Sequence, residues 1–181
     1  MKGQSERRKK IVEQYYSNKI KDVELFIDNV WDLHNVAAVL RSADGLGIKK
    51  VNLYYTYDVF PDLKRKGKGS SSSANKWIKL NRVNDLDKFA AEKKKEGFKF
   101  IGAELGKKSK NLTKFKFPKK CIIVLGNESK GISAEVQEIC DASIFIPMVG
   151  MVQSYNISVA AAIMLYEVFK QKGKKLKIAK L

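Results

Sequence analysis

Residues 158–168, SVAAAIMLYEV, form a helix-length run that is apolar on nearly every side. Such a helix needs cover on two faces, where an ordinary surface helix needs it on one. The run is too short to span a bilayer. Its Ala-rich start, residues 159–162, permits close backbone approach, so the second cover is either more of the same chain or a second subunit. Just before it, residues 146–157 read as a strand end and a loop. That loop carries Gly150 and the uncharged polar residues Gln153, Ser154 and Asn156, a composition suited to holding a ligand.

The remaining pattern decides what surrounds that helix. Residues 23–27 read as a strand, 28–34 as a loop, 35–46 as a helix ended by Gly47, and 51–55 as the next strand, which together make a parallel βαβ unit. The alternation continues with strand 77–83, helix 85–96 ended by Gly97, and strand 98–103. A Lys-rich connection leads to strand 121–125, loop 126–132, a short helix capped by Ser133 with Glu135 in its first turn, and strand 143–146. The fold class is α/β: a mostly parallel sheet flanked by helices. Ligands of such sheets bind beyond the carboxyl ends of strands, which singles out the loops after Ile27, Ala103, Leu125 and Ile146.

Charge narrows the partner. Among 181 residues there are 36 Lys and Arg against 19 Asp and Glu, a formal +17, and nucleic acid is the leading partner for such a surface. A solvated lysine coat is the competing explanation. The basic residues cluster, however, at 7–10, 64–68, 107–120 and 170–180. We expect one domain, residues 21–169, between a basic helical extension (1–20) and a basic tail (170–181). The extension has Ser5 as cap and Ile11, Val12, Tyr15 and Tyr16 as an apolar stripe. It reads as an RNA-contacting arm or as a docking helix. The loop 56–75, with KRKGKG and SSSS, reads as an RNA contact or as a plain linker.

Other chemistries find no support. The phosphate-binding patterns GxGxxG and GxxxxGK[ST] are absent, and the single His34 argues against zinc and against a Ser-His-Asp arrangement. Cys121 and Cys140 read as buried thiols in a reducing compartment. No signal-peptide pattern is visible, which gives a cytoplasmic expectation.

Three segments carry a resemblance: NVAAVLRSADGLG (35–47), IIVLGNESKGIS (122–133) and residues 146–167. In this order and at these strand ends they resemble the SpoU or TrmH branch of the SPOUT RNA methyltransferases. Asn35 and Arg41 match in the first, Gly126, Asn127 and Glu128 in the second, and Pro147, Gly150, Ser154 and Asn156 in the third. The resemblance covers most of the chain. The arm ERRKKI and the segment NKWIKL are similar to the members that methylate a guanosine ribose in the tRNA D-loop, at guanosine 18. Ribose methylation of ribosomal RNA or of another tRNA position, and a silent RNA-binding protein on the same fold, are the alternatives.

The resemblance implies a C-terminal trefoil knot, a homodimer, and S-adenosylmethionine as cofactor with no metal. Its pocket would be lined by Ala103 and Glu104, by Leu125, Gly126 and Asn127, by Ile146, Pro147 and Met148, and by Ser154, Tyr155 and Asn156. The family's catalytic position falls on Arg41, with Asn35, Glu128, Ser154 and Asn156 around it. A guanidinium stays protonated and is a poor base, so phosphate binding beside the target ribose is its easier role. For Arg41 the competing reading is an exposed helix residue paired with Asp44. For Asn35, Ser154 and Asn156 it is helix capping, and for Glu128 a turn acid. Arg7, Arg8, Lys64, Arg65, Lys66, Lys76, Lys170 and Lys172 are the expected RNA contacts. Two departures from the family pattern are Tyr155, where Leu is usual, and SSSAN before Lys76.

Overall fold

The computed structural model describes residues 20–57, 60 and 77–173, together with Glu6 and Glu13. Apart from Glu6 and Glu13, the arm expected at 5–18 lies outside the described residues, as do most of the 56–75 loop and the contacts expected of Arg7, Arg8, Lys64, Arg65, Lys66 and Lys76.

Seven strands form one parallel sheet: β1 (Val23–Asp28), β2 (Lys50–Tyr54), β3 (Lys79–Val83), β4 (Lys99–Ala103), β5 (Lys110–Asn111), β6 (Cys121–Leu125) and β7 (Ala142–Phe145). Their spatial order is β3-β2-β1-β6-β4-β7-β5, so the chain winds outward from β1 and then returns to build the other half. Among the described residues three helices lie between strands, α1 (Leu33–Gly45), α2 (Leu86–Lys95) and α3 (Ala134–Ile139), and a fourth, α4 (Ile157–Lys172), follows the last strand.

Strand side chains alternate between two cores. Leu25, Ile27, Ile123 and Leu125 pack with Val36, Leu40, Ala161 and Leu165 of α1 and α4. Phe26, Ile122 and Val124 pack with Leu86, Phe89, Val136 and Ile139 of α2 and α3. Both sheet faces are therefore covered, which is why CIIVL is apolar without alternation.

Differences from the sequence reading have local causes. Helix α1 starts two residues early because Asp32, not Asn35, is its cap: the Asp32 carboxylate accepts the His34 N–H at 2.8 Å. The two-residue strand β5 and the 3-10 turn Leu112–Lys114 interrupt the Lys-rich connection. Ser133 stands at the cap position of α3 but makes no side-chain cap bond. Cys121 is buried and Cys140 half-buried, and burial pushes the thiols up to about 11 and about 12.

Helix α4 has one well-buried stripe: Ile157, Ala161, Met164, Leu165 and Val168. Its other side stays open, with Val159 and Tyr166 exposed. There α4, the end of α1 and the strand end Ile146–Pro147 border a trough of about 700 Å³ lined by Leu46, Leu112, Ala162, Ile163 and Tyr166. Among the described residues, the chain supplies only the first of the two covers that the sequence demands.

Candidate functional site

The carboxyl ends of the central strands are organised by two adjacent buried residues that sequence reasoning passed over. Asp28 and Asn29 are both fully buried. Asn29 adopts φ 49°, a left-handed conformation that Asn tolerates better than most residues. Its amide oxygen accepts the Thr56 N–H at 2.8 Å and its amide nitrogen donates to Asp28 Oδ1 at 2.8 Å. The other Asp28 oxygen accepts the Ser133 N–H at 2.7 Å. These bonds join the loops after β1, β2 and β6. Burial pushes the Asp28 carboxyl above the usual carboxylate range, and the donated hydrogen bonds only partly offset it.

The loop after β6 is built as tightly. Asn127 and Gly131 exchange backbone hydrogen bonds at 2.8 and 2.9 Å, and the Asn127 side chain accepts from the Ser129 and Lys130 N–H groups. Its amide nitrogen donates to the Asn29 carbonyl at 2.7 Å. The Asn127 side chain and backbone N–H are thus committed to the loop, and only the second lone pair of its carbonyl oxygen is left for a ligand. A Cβ on Gly126 would lie 2.3 Å from the Gly131 and Ile132 backbone; the glycine is required by this closure.

That closure aims Glu128 at the start of α1. The Glu128 carboxylate accepts the Trp31 N–H at 3.1 Å and the Asn35 amide at 2.8 Å. Asn35 in turn accepts the Asn156 amide at 3.0 Å, while Asn156 Oδ1 caps α4 through the Ser158 N–H at 2.9 Å. Asn35, Glu128 and Asn156 come from the three separate motifs, 93 and 121 residues apart along the chain, and form one hydrogen-bonded chain. Glu128 is not an isolated turn acid, and among the described residues it is not paired with a basic residue. Asn156 caps and bridges at once.

Arg41 is not part of that chain. It is exposed on α1, six residues beyond Asn35 and so roughly 9 Å further along the axis. The pair with Asp44 is not formed, and among the described residues its guanidinium has no ion pair. Ser154 and Tyr155 are exposed on the loop before α4.

Register shows where a ligand fits. The β4–β6 ladder ends at Gly102↔Val124 and the β4–β7 ladder at Ala103↔Ile144. Strands β6, β4 and β7 are neighbours and end within a residue of one another, at Leu125, Ala103 and Phe145, so the segments that begin at Gly126, Glu104 and Ile146 leave the sheet side by side. Backbone donors and acceptors beyond the ladder suit a heteroaromatic base, and half-buried Ile146 and Met148 suit its faces. Of the expected pocket residues, Ile146 and Pro147 also line the trough. The loop that follows exposes Val149 and Met151 fully and Val152 by 66%, apolar surface that the described chain does not cover.

The cationic contacts divide. Lys170 pairs with Glu167 at 2.9 Å on the exposed end of α4. The Lys172 ammonium donates to the Pro118 and Lys119 carbonyls and is held by the fold. Among the described residues no cluster of side chains fits a metal ion, and no helix is long and apolar enough to cross a membrane.

Residues 22–166 match the SpoU rRNA Methylase family. The tRNA (guanosine(18)-2′-O)-methyltransferase of Aquifex aeolicus is 35% identical over 170 residues, covering 94% of this chain and 79% of the relative. The enzyme of the same name from Thermus thermophilus is 30% identical over 174 residues, covering 96% and 88%. In three dimensions the chain is similar to the crystal structure of the A. aeolicus TrmH/SpoU tRNA modifying enzyme, with a TM-score of 0.82 and 33% identity over 94% of this chain and 85% of that one.

Proposed function

This chain belongs to the SpoU RNA methylase family, and from that premise we propose that it transfers a methyl group from S-adenosylmethionine to a ribose 2′-hydroxyl of tRNA, at guanosine 18. The observation that carries this is the convergence of Asn35, Glu128 and Asn156 on the loop that follows β6. The names of the relatives that match nearly the whole chain support the substrate and the position.

Held beyond the carboxyl ends of β6, β4 and β7, S-adenosylmethionine would supply an electrophilic methyl group. The chain's residues do the rest. Backbone groups of 103–104, 125–127 and 146–148 hold the adenine, and Ile146 and Met148 pack on it. The Asn35–Glu128–Asn156 chain fixes the loop and both helix starts around the reacting centre, which aligns hydroxyl and methyl. Unpaired Arg41 binds the phosphate beside the target ribose. As the O–CH₃ bond forms and the S–CH₃ bond breaks, it stabilises the developing alkoxide while the hydroxyl proton passes by way of that phosphate to water. Ser154 and Tyr155 close the pocket.

The protein acts as a homodimer in the cytoplasm. A second copy over the apolar trough supplies the missing cover of α4, and the C-terminal part of the chain forms the family's trefoil knot, an exception to the rule against threaded loops. Residues 21–169 form the catalytic body. Basic residues of 1–20 and 170–181, with those of the 64–68 stretch and Lys76, contact phosphates.

The test incubates the protein with radiolabelled S-adenosylmethionine and unmodified tRNA and then maps the label. Label on the guanosine 18 ribose is expected. Label elsewhere overturns the position, and none in any RNA overturns the enzyme. Arg41→Ala should cut turnover by about 100-fold without unfolding the protein, and the mass in solution should be that of two chains.

A further inference from the structure

Two large aromatic side chains stand on the rim of the site outside its hydrogen-bonded chain. Trp31 is 76% exposed and Tyr57 45%. Both are anchored through their backbone N–H groups. The Trp31 N–H donates to the Glu128 carboxylate at 3.1 Å, and the Tyr57 N–H to Asn29 Oδ1 at 3.3 Å. Lys130, on the same loop as Glu128, places its ammonium 4.1 Å from the centre of the Tyr57 ring.

Entry into α1 does not need this indole, since Asp32 caps the helix and Val36 begins its buried face. A rigidly based, outward indole beside a cation-bearing aromatic, on a chain of formal charge +17, has the chemistry of a single-stranded nucleic-acid subsite. A base stacks on the ring and a phosphate meets the ammonium.

We propose that Trp31 is a base-stacking subsite that takes an unpaired base of the RNA substrate, with Lys130 above Tyr57 meeting the neighbouring backbone. The inference rests on the reading of the chain as an RNA methyltransferase. It adds a contact that recognises an unstacked base rather than duplex shape.

Trp77→Phe leaves Trp31 as the single tryptophan of the two in the chain, so emission reports on it directly. In that background, unmodified tRNA and single-stranded oligoadenylate should quench the emission, and an abasic oligomer of equal charge should not. Trp31→Leu should raise KM for tRNA by about 5- to 150-fold with kcat and S-adenosylmethionine affinity unchanged, and Trp31→Phe should restore most of the loss. Unchanged emission, equal quenching by the abasic oligomer, or an unaltered KM in Trp31→Leu overturns the subsite. So does emission that follows protein concentration without RNA, because that places Trp31 under a second copy. Quenching by RNA with no methylation of any RNA sustains the subsite and overturns only the enzyme reading.

Discussion

Strand β1 buries two carboxylates four residues apart, and the fold treats them in opposite ways. At the amino end Glu24 is met by the Lys93 ammonium at 2.9 Å, by Lys50 at 3.6 Å and by the Asn52 amide at 2.9 Å. At the carboxyl end Asp28 takes only neutral donors, Asn29 Nδ2 and the Ser133 N–H, and has no ion pair among the described residues. The first arrangement neutralises a charge where no ligand is needed. The second fastens loops at fixed geometry without filling the space beside the crevice with a long cationic side chain. The same type of group therefore stabilises at one end and positions at the other, according to what surrounds it.

The largest effect tests the amino end. Lys93→Met leaves Glu24 buried with only the more distant Lys50, and should cost about 3–5 kcal/mol by denaturant unfolding. Adding Glu24→Gln should recover most of that, and a single-variant cost below about 1 kcal/mol would break the comparison.

At the carboxyl end, Gly126→Ala forces a methyl into the Gly131–Ile132 backbone and should cost about 3 kcal/mol, with loss of methyl transfer. Asp28→Asn keeps the shape but turns one acceptor into a donor facing a donor. It should cost about 1–3 kcal/mol and lower kcat more than S-adenosylmethionine affinity, as a positioning residue does.

The pH trend sharpens this further. Because the folded carboxyl of Asp28 is raised, the native state binds more protons than the unfolded chain above about pH 4. Its contribution is full below the unfolded value and is lost as pH rises through the folded one. The wild-type minus Asp28→Asn stability difference should therefore fall as pH rises above about 4 in urea unfolding. An opposite slope contradicts the cation-free environment.

The smallest effect is a control at the amino end. Lys99 pairs with Asp141 at 2.9 Å but is more than half exposed, and Asp141 keeps the Phe100 N–H. Lys99→Ala should change stability by about 0.5 kcal/mol or less. A loss as large as that at Lys93 would mean that the number of charges, and not their burial, governs this end.

How much was legible depends on whether the signal is local. CIIVL and VELFI announce buried strands, and Gly97 at φ 86° ends α2 as its position suggests. Lys110–Asn111 carries no apolar pattern, and β5 exists only because β7 offers it an edge. Asn35 looks like a cap because Asn at a helix start usually is one. Asp32, three residues earlier, outcompetes it, and the freed amide turns to Glu128. The Asp28–Asn29 hub could have been suspected from two polar residues closing an apolar strand, but its partners at Thr56, Asn127 and Ser133 are spread over the chain.

The sequence by itself determined the α/β class, the strand ends that matter, the family resemblance with its Asn35, Arg41, Glu128 and Asn156, and a last helix that cannot be satisfied by one cover. These follow from periodicity, composition and motif, all of which are local. Only the tertiary structure decided that β6, β4 and β7 end side by side, that Asn35, Glu128 and Asn156 are one hydrogen-bonded unit, that Arg41 has no ion pair among the described residues, and that Trp31 faces outward. Each of those depends on contacts between residues far apart in the chain, whose geometry is set by how the sheet is ordered and how its two faces are packed.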